Sequence, residues 1–228
     1  ANYYANISNQ IGGTCYAHAV AHAVRETESR IIGRNVPSHE DLIKEITDEH
    51  GSKGAQTYKV LKQQCDKRRL GCAIVSMEKA MEAINKRRVI VASFHFNEGQ
   101  WKKMSQFFEE KPTFVYEKSD IGEGYEGADG GGHAVAIVGI GNTDGKRYFK
   151  IKNSWGTGFA DYGYFRFSFD MPLIFMDVFF RICDLSQQDL ANYKRITGDN
   201  VGNGDGQGNN IKVNQKSQQS TNDACVIL

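Results

Sequence analysis

The spacing of apolar residues changes near the middle of this sequence, and that change narrows the fold more than any other feature. Up to about residue 88 the apolar positions recur at helical intervals. Tyr16, Val20, Val24 and Ile31 form one buried stripe behind Thr14, which occupies an N-cap position, and Gly33 closes that helix. Ser38 and Asp41 form a capping-box pattern that opens a second helix through Leu42, Ile43 and Ile46, stopped by Gly51. Weaker helical patterns cover 55–65, 77–87 and 100–109. From Val89 onward the chain breaks into short β-type runs at 89–92, 134–138, 148–151, 162–167 and 178–180, several of them separated by Gly, Asn and Asp. A helical half followed by a strand-rich half predicts an α+β fold with a cleft between the halves.

Beyond residue 185 the apolar content drops, and 198–224 is rich in Gly, Asn and Gln. This predicts a folded domain over 1–185 and a disordered polar tail over 186–228. The tail's charges balance, four basic against four acidic, so it is no polybasic arm. The whole chain carries a formal charge of +1 over 228 residues, which disfavours nucleic acid as a partner. No apolar run approaches the roughly 20 residues of a membrane span. The five cysteines are too sparse for a disulfide scaffold, and reduced thiols are expected, although Cys65 and Cys72 are close enough in sequence to pair locally.

Three residues carry candidate chemistry. Cys15 falls in the first turn of a helix, where unpaired amides favour a thiolate; the plainer reading is a small buried hydrophobe. His133 follows three glycines and opens an apolar strand, which exposes an imidazole beside a loop without side chains. Asn153 precedes Ser154-Trp155-Gly156, where its amide oxygen is suited to accept from an imidazole N–H while an indole shields the bond. His18 and His22 share a helix face with Cys15; helix packing is favoured over zinc ligation, and no metal or cofactor is expected.

Taken together, NQIGGTCYAHA around Cys15, GGHAVAIVGIG around His133 and KIKNSWGTGFADYGY around Asn153 resemble the papain-like cysteine peptidases over roughly residues 9–185. The resemblance implies a two-lobed fold, with a helical left lobe and a β-rich right lobe. It also implies peptide-bond hydrolysis through an acyl-enzyme, with a peptide or protein as substrate and a monomer as the working form. Cys15 would be the nucleophile, His133 the base and then the acid, Asn153 the orienting group and Gln10 an oxyanion donor. Gly54, Ala55, Gly132 and Trp155 would border the substrate.

The sequence departs from the family pattern in several places. Gln10 and Cys15 stand one position closer together than usual, Tyr16 replaces a Trp, and Ala55 replaces the second Gly of a Gly-Gly pair. Where many relatives have a bridging cysteine pair, this chain has Gly12 and Ser52, which suits a reducing compartment. Cys225-Val226-Ile227-Leu228 fits a prenylation box ending in Leu, so geranylgeranylation of Cys225 is expected. Those two features together predict a cytoplasmic protein in peripheral contact with a membrane, the alternative being a lysosomal or secreted one. Two rival functions remain at this level: a thiol acyl-transfer enzyme of transglutaminase or amidase type, and a non-catalytic binding module that retains the fold.

Overall fold

The structure is a computed structural model that describes residues 7–122 and 130–193. Three helices come first: α1 (Cys15–Glu28), α2 (His39–His50) and α3 (Thr57–Arg68). There follow β1 (Gly71–Val75), α4 (Met77–Asn85), β2 (Ile90–Asn97), α5 (Glu98–Glu110), β3 (Val115–Tyr116) and α6 (Lys118–Ile121). The chain then runs through β4 (Gly130–Thr143), β5 (Lys146–Lys152), β6 (Tyr164–Ser168), β7 (Ile174–Phe179) and α7 (Gln187–Asn192). The strands make one sheet in the order β1-β7-β2-β4-β5-β6-β3, antiparallel except for the β3–β6 pair.

The α+β expectation holds, and the alternation of side chains along β4 shows how the two lobes share the sheet. Ala134 and Ala136 face α1 and pack with Val20, Val24, Leu42 and Leu61. Val135 and Ile137 face the other way, into an aromatic core with Phe94, Phe96, Phe165 and Phe167. A strand buried on both faces reads as a continuous apolar run, as 134–138 does. The alanines also let α1 lie close against the strand.

Helix α2 has the predicted ends: the Ser38 hydroxyl accepts from the Asp41 N–H, and Gly51 closes it in the left-handed region. Helix α1 differs from expectation. It stops at Glu28, short of Ile32, and Thr14 makes no side-chain cap; its hydroxyl donates instead to the Ile11 carbonyl. Tyr16 is buried and donates its hydroxyl to the Gly51 carbonyl at 2.5 Å, tying α1 to the end of α2. The helical half also contains β1, too short and mixed in character to stand out among Cys72, Ala73 and Ile74.

The polar segment expected to begin at residue 186 starts with folded structure. Ser186 forms a capping box with Asp189, α7 follows, and Leu190 and Tyr193 pack against the α1 core. Local capping and two large apolar side chains override the polar composition there, so the domain extends at least to Tyr193. Residues 194–228, including Cys225 and the proposed prenylation box, lie outside the described residues. No helix among the described residues is long and apolar enough to cross a membrane. Cys65 and Cys72 carry free thiols that lie within hydrogen-bonding reach of each other.

Candidate active site

A cleft of about 610 Å³ opens where the start of α1 meets the start of β4, within the range of ordinary ligand sites. Cys15, Gly54, Ala55, Gly132 and His133 all line it. Gly54 has φ +95°, a conformation that a side chain would strain, with open space where a Cβ would stand. Gly132 needs no such licence; an added methyl would meet only the Phe94 carbonyl, at 3.8 Å.

Cys15 is the first residue of α1. Because Thr14 turns its hydroxyl away, the opening amides of the helix are left to the thiol. The N–H groups of Ala134, Tyr16 and Cys15 itself favour the thiolate, but burial outweighs them and pushes the thiol above its ordinary value. The expectation of an easily ionised thiol is therefore corrected. Desolvation there exceeds the benefit of the three backbone amides.

His133 sits on the aromatic face of β4, 4% exposed. Its Nε2 donates to Asn153 Oδ1 at 2.8 Å. An amide oxygen can only accept, so the bond fixes the proton on Nε2 and leaves Nδ1 as the basic nitrogen. Burial holds the imidazole down at about 4, against a smaller upward push from Asn153 and a further lowering by His18. At neutral pH it is an uncharged base.

Trp155 stacks on that ring, with centroids 4.6 Å apart and planes at 30°. Two aromatics that sequence reading missed complete the enclosure. Phe94 meets the imidazole edge-on at 5.7 Å, and Trp101 of α5 at 5.9 Å. Trp101 also donates its indole N–H to the Gly131 carbonyl at 3.3 Å, anchoring the glycine run before His133. The signal available was an unexplained Trp in a weak helical pattern. Ser93, His95, Pro172 and Ile174 also line the cleft.

Gln10 is not among the residues lining the cleft. Its Nε2 donates to the Gly12 carbonyl at 2.8 Å, and its Oε1 accepts from the Ser154 hydroxyl at 2.6 Å. A primary amide has two hydrogens, so the Gly12 contact uses one of them. Gly12 and Ser52 do face each other: a Cβ built on Gly12 would stand 3.9 Å from that of Ser52, the spacing of bridged cysteines. His18 and His22 pack behind β4 with His39 and Lys152, and no group of ligands suited to a metal ion occurs among the described residues.

The model of the papain family cysteine protease matches residues 48–172, more than half of the chain. That match includes His133 and Asn153 but begins beyond Cys15. Cathepsin S of Bos taurus is 59% identical over 34 residues, which are 15% of this chain and 10% of that protein. Cathepsin B-like CP3 of Giardia intestinalis is 46% identical over 54 residues, 23% of this chain and 18% of that one. The chain thus spans less than a fifth of the length of these curated relatives in the matched stretches. Among solved structures, proCathepsin B S9 from Trypanosoma congolense superposes with a TM-score of 0.52 at 18% identity, over 75% of this chain and 70% of that chain, a likeness of fold. The chain belongs to the papain family of cysteine proteases.

Proposed function

We propose that this chain is a cysteine endopeptidase that cleaves peptide bonds through Cys15, His133 and Asn153. The observation that carries the reading is the His133–Asn153 hydrogen bond at 2.8 Å beside a cleft that Cys15 also lines. Thiol and imidazole are both uncharged at rest, so the proton moves during attack. Cys15 Sγ bonds to the scissile carbonyl carbon as its proton passes to His133 Nδ1, and the carbonyl oxygen becomes an oxyanion. The opening amide of α1 at Cys15 is the donor assigned to it. The imidazolium then protonates the leaving amine as the C–N bond breaks, leaving a thioester. Water attacks the thioester, gives its proton to His133, and releases the acid and the thiol. Gly54 and Ala55 are assigned to pair with the substrate backbone.

One observation favours the binding-module alternative: burial raises the Cys15 thiol, where a resting thiolate would mark a prepared nucleophile. Peptide-library digestion separates the two. Hydrolysis by the wild type, abolished in Cys15→Ala, supports the peptidase. Peptide binding without cleavage in either protein contradicts it.

A further inference from the structure

Behind the Asn153 amide lies a small cavity that the catalytic scheme does not use. It holds about 10 Å³, roughly the room one water molecule needs. Its walls include Ser8 ahead of α1, His18 and His22 on α1, His39 at the first position of α2, residues 134–136 of β4, and Lys152 and Asn153 at and just past the end of β5. Two buried polar atoms of this wall have no hydrogen-bond partner among the described residues, Nδ2 of Asn153 and Nδ1 of His39. Their side chains belong to residues only 3% and 4% exposed. An unpaired buried polar atom is costly, and a water with two or more polar partners is the usual remedy. The two atoms suit one water. Asn153 Nδ2 can only donate, and the imidazole of His39, kept neutral by burial, can accept at Nδ1.

We propose that a single buried water joins Asn153 Nδ2 to His39 Nδ1 and makes His39 a positioning residue for the catalytic amide. Its effect on rate rests on the peptidase reading; the water does not. The consequence concerns how firmly the amide is held. With Oδ1 toward His133, Asn153 places the imidazole proton on Nε2 and leaves Nδ1 for the thiol. A flipped amide would present N–H to that nitrogen and force the opposite tautomer. The water accepts from Nδ2 on the far side, so the amide is held at both ends. Helix α2 thereby helps to hold the amide that positions His133.

Two measurements test this. A high-resolution crystal structure of the wild type should show one ordered water within hydrogen-bond distance of both atoms. An occupant touching only one of them, or none, overturns the proposal. In kinetics, His39→Leu should lower kcat about tenfold with KM unchanged, the rate equivalent of one buried hydrogen bond. His39→Asn, which returns an amide near the place of Nδ1, should recover most of that loss. Equal kcat in wild type and His39→Leu, or no recovery in His39→Asn, contradicts the assignment. If His39→Leu does not fold, the wild-type density decides. A wild type that cleaves no peptide refutes the peptidase reading, while the same density still judges the water.

Discussion

The indole of Trp155 lies over the imidazole of His133, 4.6 Å from it and tilted by 30°, so the proton-carrying ring is covered on the side where water would otherwise reach its bond to Asn153. Trp155→Ala opens that bond to solvent, where a hydrogen bond contributes little net energy. A loss of about 1.4 kcal/mol corresponds to tenfold in kcat. Steady-state kinetics of Trp155→Ala and Trp155→Phe check this, with the Phe variant expected closer to wild type.

Asn153→Asp should move the acid limb of activity. An anionic partner in hydrogen-bond contact raises an imidazole by roughly 1–3 pH units, and His133 starts at about 4. The base must be neutral to accept the Cys15 proton, so kcat/KM will fall at a higher pH on the acid side than in the wild type. A pH profile of both proteins, measured from pH 4 to 8, reads the shift.

The imidazoles behind the site predict sensitivity to acid. Burial, more than the nearby Lys152, holds His18 and His39 at about 4, and it holds His22 well below its ordinary value. Arg25 adds to the lowering of His22 and His39, and Glu40 opposes it at His39. In the unfolded chain these groups, like His133, take up protons near 6.5. The unfolded state therefore binds protons first. Stability is fully present above about 6.5 and declines as pH falls toward 4. Asp177, raised to about 6, and Glu28, raised by burial, work in the opposite direction, but they are two groups against four. Thermal unfolding followed from pH 7.5 to 4.5 should show Tm falling steadily; a flat profile contradicts the burial of the cluster.

The ion pair of Arg88 with Asp177, 2.8 Å long with both side chains 7% exposed, fastens the start of β2 to β7. Removing one partner of such a pair costs about 3–5 kcal/mol. Arg88→Met should lose that much at pH 8. The loss should shrink near pH 5, because Asp177 then takes a proton and no bare carboxylate is left buried. Urea unfolding at the two pH values measures the difference.

How much of this was legible in the sequence depended on how local each cause was. The ends of α2 could be read from Ser38, Asp41 and Gly51, because capping is settled within a few residues. The two-sided burial of β4 was visible as the run from Ala134 to Val138. The motifs pointed to Cys15, His133 and Asn153, and the last two meet in a hydrogen bond. What depends on packing between distant segments could not be read. Trp101 reaches His133 only because α5 folds back over β2, and His39 joins His18 and His22 only when α2 lies on α1. The direction of the Cys15 shift was misjudged for the same reason. Position in a helix turn is local, whereas burial under β4 is not.

The central claim is that Cys15 is a nucleophile served by His133, and covalent labelling tests it most directly. The wild type should be modified once by a thiol-reactive peptidyl epoxide, and peptide mapping should place the adduct on Cys15 although Cys65 and Cys72 are also free thiols. His133→Ala should react slower by about 10²–10⁴-fold, the usual contribution of a general base. Labelling spread evenly over the free cysteines, or an unchanged rate in His133→Ala, would contradict the account.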